Sequence, residues 1–217
     1  MIDVEKVIQG IREGKVVAIL RGMPEEKLIP IAEALYEGGI RMIECTFDHS
    51  RADCIEANCR MISALAKHFG ERMQVGAGTV LTEEEVEATV QAGGAFIISP
   101  NVDEKVIKKT RKLGAVSMPG ALTPTEIVAA WNAGAHFVKL FPAGDMGAAY
   151  MKSVRAPLKH IPMLAVGGIT PENIPEFLAA GAVGFGVGSP LLPKAAIEAG
   201  DYQAITARAR KFVEAAK

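Results

Sequence analysis

The sequence has few cysteines, few histidines and almost no net charge, and each shortage excludes a class of protein. The three cysteines, Cys45, Cys54 and Cys59, lack C-x-x-C spacing, which argues against a disulfide framework and against a zinc site. The four histidines show neither H-x-H nor H-E-x-x-H spacing, so we expect no metal. With 24 Lys and Arg against 25 Asp and Glu, the formal charge is −1, so a nucleic-acid partner, which requires a basic surface, is not expected.

Long apolar segments are also missing. No window of the 217 residues approaches the ~18–20 apolar residues that a membrane-spanning helix needs. The first residues, MIDVEKVIQGIREGK, place acidic side chains where a secretory signal would have a basic region and then an apolar stretch. We therefore expect a soluble, cytoplasmic protein with no membrane partner.

What the sequence does contain is a regular alternation of short apolar runs and longer amphipathic stretches. Most of the runs are apolar on both faces, which is typical of parallel strands covered by helices. The runs occupy residues 16–20, 42–47, 73–80, 96–100, 116–120, 137–142, 163–168 and 185–189. Between them, Thr82 with Glu85 has the capping-box pattern of a helix start. Thr123 and Thr170 are each followed by proline, which also favours a first helical turn.

The alternation predicts one closed barrel. Eight strands and seven intervening helices repeat at roughly 24 residues, with further helices at about 3–13 and 201–216. No linker breaks the pattern, so the sequence predicts an α/β fold, a single (β/α)₈ TIM barrel over residues 1–217 with an extra N-terminal helix. An open doubly wound sheet is the alternative. It usually carries G-x-G-x-x-G after the first strand, where this chain has Arg21-Gly22-Met23-Pro24.

Two charged residues lie inside apolar strands. Alternation places Lys139 on one face with Phe137 and Phe141, and Glu44 on one face with Thr46. If both faces point inward, a lysine and a glutamate meet in a poorly solvated centre. A buried ion pair that only sets the strand register is one interpretation, although desolvation makes such pairs poor stabilisers. In the functional interpretation, burial lowers the lysine pKa, and the neutral amine attacks a carbonyl while the glutamate moves protons.

The ends of the last two strands suggest an anion site. Gly167, Gly168, Gly188 and Ser189 lie where the loops after strands seven and eight of such barrels often bind phosphate. Tight turns without a ligand are the alternative. Arg21 ends the first strand and could hold a substrate carboxylate or form a salt bridge at the rim.

These residues carry a resemblance to a known family. The segments MIECTF, VGAGTVLT, FIISPN, MPGALTPTE, FVKLFPA, VGGITPEN and GVGSPL occur in this order along nearly the whole chain. The sequence resembles the class I 2-keto-3-deoxy-6-phosphogluconate (KDPG) aldolases and the related 4-hydroxy-2-oxoglutarate (KHG) aldolases. The resemblance implies a homotrimeric lyase that needs no metal and no cofactor and acts on a small 2-keto acid. The reaction would release pyruvate with glyceraldehyde 3-phosphate from KDPG, or with glyoxylate from 4-hydroxy-2-oxoglutarate.

The resemblance also assigns roles to residues. Lys139 matches the Schiff-base lysine and Glu44 the general acid/base. Thr79, Pro100 and Phe141 match residues around the pyruvate moiety. The phosphate-binding loops match Gly167, Gly168, Gly188 and Ser189.

Two positions depart from the family pattern. Some members have an arginine that binds the substrate carboxylate where this chain has Asp48, and an aspartate cannot hold a carboxylate. We therefore expect Arg21 to supply the cation. Many members read P-T-G-G where this chain has Ala165-Val166 before the two glycines, which removes a hydroxyl near the aldehyde part of the substrate. Which sugar acid is preferred stays open.

Two other functions share parts of these patterns. A sugar-phosphate isomerase or epimerase would use the same phosphate loops, but it would not need a lysine in the middle of strand six. A non-catalytic ligand-binding barrel would use the pocket as a sensor and would tolerate replacement of Lys139.

Overall fold

The computed structural model describes residues 2–217 and contains a parallel sheet that closes on itself. Its strands are β1 (Val16–Leu20), β2 (Met42–Thr46), β3 (Gln74–Gly78), β4 (Phe96–Ile98), β5 (Val116–Met118), β6 (Gly120–Ala121), β7 (Val138–Leu140), β8 (Met163–Val166) and β9 (Gly184–Val187). The strand order is β5-β4-β3-β2-β1-β9-β8-β7-β6, and every neighbouring pair is parallel. Because β5 and β6 stand at the two ends of this order and only Pro119 separates them, the sheet is a nearly closed barrel. The predicted TIM-like α/β barrel is confirmed.

Helices follow the strands in alternation. They are α1 (Val4–Gly14), α2 (Leu28–Glu37), α3 (Cys54–Phe69), α4 (Glu83–Gln91), α5 (Glu104–Lys112), α6 (Pro124–Asn132), α7 (Ala143–Arg155), α8 (Ile174–Ala179), α9 (Lys194–Ala199) and α10 (Tyr202–Ala215). Within residues 2–217, none of these helices is long and apolar enough to cross a bilayer. The N-terminal helix that the sequence predicts is α1.

The structure differs from the predicted elements at two places. The predicted fifth strand, residues 116–120, is split into β5 and β6 because Pro119 has no N–H to donate to a ladder. The short helix α9 precedes α10 and is an addition to the predicted set. Neither difference changes the order of the strands around the barrel.

The predicted helix starts are correct at two threonines and wrong at a third. Thr82 and Thr123 both form complete capping boxes. The helix expected to start at Thr170 begins only after Asn173. The Asn173 side chain accepts from the Thr170 N–H at 2.9 Å and donates to the Gly168 carbonyl at 2.8 Å. These bonds hold a turn where the prediction has the first helical residues.

The interior of the barrel is apolar at the N-terminal ends of the strands. Helix α1 closes this end, and its Val7 and Ile11 are buried in the same cluster as the inward side chains. Those side chains include Val17, Met42, Phe96, Val116, Phe137 and Leu164. A second, larger cluster fills the layer between the strands and the outer helices. Polar side chains are therefore left to the opposite end of the barrel.

Candidate active site

A lysine and a glutamate lie inside the barrel toward the C-terminal ends of the strands. Lys139, in the middle of β7, is 8 % exposed, and Glu44, in the middle of β2, is 3 % exposed. Val138 and Leu140, on either side of Lys139, pack in the outer layer, while Phe137 packs in the inner cluster. Lys139 therefore shares the inner face of β7 with Phe137, as strand alternation predicts.

The buried Glu44 carboxylate has little hydrogen bonding to offset the cost of its removal from water. Its Oε1 accepts a hydrogen bond from Thr46 Oγ1 at 3.4 Å, while its buried Oε2 has no hydrogen-bond partner within residues 2–217. Burial raises the Glu44 pKa, although Lys139, Arg21 and the Thr46 hydroxyl all oppose the rise. A buried carboxylate oxygen without a partner is costly, so it points to a group kept for chemistry.

The Lys139 amine is the second buried charged group of the site. Burial lowers its pKa, Glu44 opposes this shift, and the positive charge of Arg21 adds to it. In the described part of the chain, Lys139 takes part in no salt bridge. Its Nζ lies 4.7 Å from the centroid of the Phe141 ring. The amine is thus shielded from water and is more readily neutral than an exposed lysine.

A glycine makes room for the carboxylate. A Cβ built on Gly78 in β3 would fall inside the Glu44 carboxylate, and one on Gly76 would fall inside the Phe96 ring. Gly78 is not among the site residues predicted from the sequence. The available signal was a strand with glycines at alternate positions, because a glycine inside a strand often marks a close approach by another group.

The backbone places two residues predicted to surround the pyruvate moiety, Thr79 and Pro100, at the same end of the barrel. Thr79 directly follows Gly78 and has a φ of 57°, which a β-branched residue rarely adopts. Such strain is concentrated at functional sites. A Cβ on Gly120 would overlap the carbonyl group of Pro100, and Gly120 is aligned with Lys139 between β6 and β7. Pro100 is therefore one strand away from the amine.

A cleft of about 520 Å³ opens beside the amine. It brings together most of the other predicted residues, and its lining includes Arg21, Phe141, Gly167, Gly168, Gly188 and Ser189. Phe141 is 39 % exposed and contacts both regions, since its ring lies in the cleft wall and over Lys139 Nζ. The lining does not include Lys139, Glu44, Thr79 or Pro100, so Phe141 is the residue that connects the amine with the glycine loops.

The glycine loops present free backbone donors. Gly167 and Gly168 have φ values of 89° and 67°, which L side chains rarely adopt. The N–H groups of Gly168 and Ser189 lie outside the strands and donate to no acceptor among residues 2–217. Converging free N–H groups of this kind form a concavity suited to an anion.

The position that departs from the family pattern is occupied by a loop carboxylate. Asp48 is exposed and accepts hydrogen bonds from the Ser50 N–H at 3.1 Å and the Ser50 hydroxyl at 2.6 Å, which hold its pKa low. It is therefore negatively charged near neutral pH. Arg21 is exposed and close enough to act on the pKa of both Glu44 and Lys139.

Comparisons with known proteins agree with this geometry. The family model for KDPG and KHG aldolases matches residues 7–208. The KHG/KDPG aldolase of Escherichia coli (strain K12) is 35 % identical over 206 residues, 94 % of this chain and 93 % of that protein. The 2-dehydro-3-deoxy-6-phosphogalactonate aldolase of the same strain is 34 % identical over 176 residues, 81 % of this chain and 83 % of that protein.

A solved structure shows the same fold with a reaction intermediate. The KDPG aldolase of Legionella pneumophila, with pyruvate captured at low pH as a covalent carbinolamine intermediate, superposes with a TM-score of 0.82. It is 26 % identical, and the match covers 94 % of this chain and 96 % of that one.

Proposed function

Because the chain belongs to the KDPG and KHG aldolase family, we propose that it cleaves a 2-keto-3-deoxy acid into pyruvate and an aldehyde on Lys139. The chain is a class I aldolase, a carbon–carbon lyase that works through a Schiff base. The assignment to Lys139 depends on one observation. It is a lysine inside the barrel with a lowered pKa, near a buried carboxylate that has one oxygen without a hydrogen-bond partner in the described part of the chain.

The mechanism starts with the neutral amine of Lys139. It attacks the C2 ketone of the substrate, and loss of water from the carbinolamine gives an iminium ion. Glu44 then accepts the proton of the C4 hydroxyl, and the C3–C4 bond breaks. The electron pair of that bond forms an enamine by delocalising onto the iminium nitrogen, while C4 leaves as the aldehyde. Protonation of C3 restores the iminium, and its hydrolysis releases pyruvate and the free amine.

The residues around the amine prepare this chemistry. Burial of Nζ and the positive charge of Arg21 favour the neutral amine over its charged form. The raised pKa of Glu44 makes its carboxylate a stronger base than an exposed one. Thr79 and Pro100, near the same end of the barrel, would contact the pyruvate part of the substrate. Arg21 would hold the substrate carboxylate, since Asp48 is itself negative.

A phosphorylated aldehyde fragment suits the other end of the cleft. The free N–H groups of Gly168 and Ser189, with Gly167 and Gly188, would bind the phosphate. We therefore propose KDPG, cleaved to pyruvate and glyceraldehyde 3-phosphate, as a substrate. Cleavage of 4-hydroxy-2-oxoglutarate to pyruvate and glyoxylate is a second candidate activity, because the E. coli relative carries both names. Comparing kcat/KM for the two substrates tests this choice, and a preference for 4-hydroxy-2-oxoglutarate would contradict the phosphate assignment.

Trapping the imine tests the assignment of Lys139. The protein is incubated with pyruvate, reduced with borohydride and digested, and the peptides are mapped by mass spectrometry. We expect one pyruvate-derived adduct, on Lys139, and none in Lys139→Met. Lys105→Met, which replaces an exposed lysine on α5, is the matched control and should retain the adduct. An adduct on another lysine, or none on folded protein, would refute the proposal.

The family resemblance supports three further proposals. We propose that residues 1–217 act as one barrel domain, that the chain forms a homotrimer, and that it works in the cytoplasm without a metal or cofactor. Light scattering on the purified protein tests the trimer. Aldolase activity measured after dialysis against a chelator tests whether a metal is needed, and we expect the activity to persist.

A further inference from the structure

A second cavity, of about 480 Å³, lies at the end of the barrel opposite the aldolase site. Its lining includes Lys15, Pro162 and Val183, which directly precede β1, β8 and β9. Basic residues dominate the wall, and none of the described residues that line it is an aspartate or a glutamate. The basic and imidazole side chains are Arg12, Lys15, His136, Arg155, Lys159 and His160. We call this cavity the basic cavity.

The surrounding residues hold the Arg155 side chain in a defined position in the basic cavity. It ends α7, and a Cβ on Gly181 would overlap its guanidinium group, so a glycine at 181 is what makes room for it. Its Nε is buried and has no hydrogen-bond partner within residues 2–217. Its Nη2 lies 3.5 Å from the Lys159 carbonyl, at the limit of a hydrogen bond. The guanidinium is therefore held in place with most of its donor capacity unused.

The neighbouring cations are also left without an acidic partner. Arg12, Arg155 and Lys159 form no salt bridge within the described residues. Glu13, next to Arg12 in sequence, accepts instead from Gln9 Nε2 at 2.7 Å. Lys15 is partly engaged, because its Nζ donates to the main-chain oxygens of Ala216 and Lys217. Three cations thus face one cavity uncompensated, in a chain whose net charge is −1.

The other walls supply an uncharged donor and an aromatic ring. His136 Nδ1 accepts the Ser117 N–H at 3.0 Å, so Nε2 of the neutral ring carries the proton, and it donates to no acceptor among residues 2–217. Burial and the charge of Arg111 lower the His136 pKa to about 4, so the ring is neutral near pH 7. Trp131 packs edge-on against His160, with 6.1 Å between ring centroids.

We propose that the basic cavity binds a small anion that carries phosphate groups. Converging cations repel one another, and a bound polyvalent anion relieves that repulsion. Arginine is suited to phosphate because its planar group donates two parallel hydrogen bonds. Lysine and a neutral imidazole complete a site with donors on several sides of one anion. This site is separate from the aldolase site and does not depend on the function proposed for it.

Tryptophan fluorescence tests this site directly, because Trp131 is the single tryptophan of the chain and lines the cavity. The intact protein is titrated at low ionic strength with inorganic pyrophosphate and, separately, with adenosine monophosphate. We expect a saturable change in fluorescence with pyrophosphate that weakens as salt is added. Tighter binding of the nucleotide would support the site with its base against Trp131. Equal or weaker binding would support recognition of the phosphate groups alone.

Charge-matched variants decide whether these residues form the site. The double variant Arg12→Ala/Lys159→Ala removes two exposed cations of the cavity and should raise the dissociation constant at least ~10-fold. Lys105→Ala/Lys152→Ala removes two exposed cations elsewhere and should bind like the parent. Aldolase activity without added anion should be the same in all three proteins. No saturable change with pyrophosphate, or equal weakening in both double variants, would overturn the proposal.

Discussion

The two ends of the barrel are built from the same strands, yet they differ in what the inward side chains do. On β7 and its flanks, Phe137 belongs to the apolar cluster under α1. Lys139, two residues later on the same face, is a buried amine that forms no salt bridge with any residue from 2 to 217. Glu44 repeats the contrast on β2, where Met42 lies in the apolar cluster. The comparison indicates that packing at one end stabilises a barrel whose other end carries unfavourable charges.

The directions of the two pKa shifts show whether Lys139 and Glu44 stabilise or destabilise the fold at a given pH. The folded pKa of Lys139 is below its unfolded value of 10.5, so the unfolded chain binds the extra proton, and stability rises as pH increases through that window. The folded pKa of Glu44 is above its unfolded value of 4.5, so stability falls as pH increases through the window above 4.5. Near neutral pH both groups therefore cost stability, which the apolar end must offset.

Removing the amine should have the largest effect. Lys139→Met should abolish turnover, because no other described side chain takes the same position in β7, and it should raise the melting temperature near pH 7. The assay is the kcat of cleavage together with thermal unfolding, with Lys105→Met as the control for loss of a lysine. A destabilised Lys139→Met would contradict the idea that the buried amine costs stability.

Replacing the acid/base should have the next largest effect. Glu44→Gln should lower kcat about 10²–10⁴-fold, because it removes proton transfer but leaves the amine. The trapped pyruvate adduct should still form. The variant should be more stable than the parent near pH 7, and this difference should shrink as pH falls toward 4.5, where the parent carboxyl is protonated. A variant with unchanged kcat would remove Glu44 from the mechanism.

A cavity made at the apolar end of the barrel should lower stability strongly and change kcat little. Phe137→Ala should cost about 3–5 kcal/mol of unfolding free energy, because a fully buried ring is lost from the cluster beneath α1. At a temperature where the variant is folded, kcat should change far less than in Glu44→Gln. Denaturant unfolding and kcat measured on the same sample check both parts, and a mild stability loss with a severe kcat loss would break the comparison.

The smallest effect should come from replacing Arg21, at the rim of the cleft. Arg21→Ala should raise the KM for pyruvate in the condensation direction about 10-fold, because one charged hydrogen bond to the carboxylate is lost. Arg51→Ala, at an exposed arginine of the loop after β2, is the matched control and should leave this KM unchanged. If only the KM for the phosphorylated aldehyde rises in Arg21→Ala, the arginine binds phosphate and not the carboxylate.

Much of the catalytic end could be predicted from local patterns. Alternation within two short strands is enough to bring Lys139 and Glu44 inward, and Thr82 and Thr123 carry complete capping boxes in the sequence. The split at Pro119 was missed because an apolar run hides the loss of one N–H. The room that Gly78 leaves for Glu44 depends on the register between β2 and β3, which residue patterns do not reveal.

The basic cavity could not be predicted for a related reason. Arg12, Trp131, Arg155 and Lys159 come from separate elements, and each is an ordinary surface residue in its own sequence context. Only the closure of the barrel brings their side chains to one place. Trp131, which lies in α6, is one of the residues that this closure brings into the cavity wall.

The pH dependence of imine formation tests the central claim that the barrel mouth keeps Lys139 available as a neutral amine. The protein is mixed briefly with pyruvate from about pH 5 to about pH 11, quenched with borohydride under common conditions, and the Lys139 adduct is quantified by mass. Activation of Lys139 by burial predicts a rate that rises with pH with a midpoint below 10.5, the ordinary lysine value. A midpoint at 10.5 would show that burial does not activate the amine and would contradict the account.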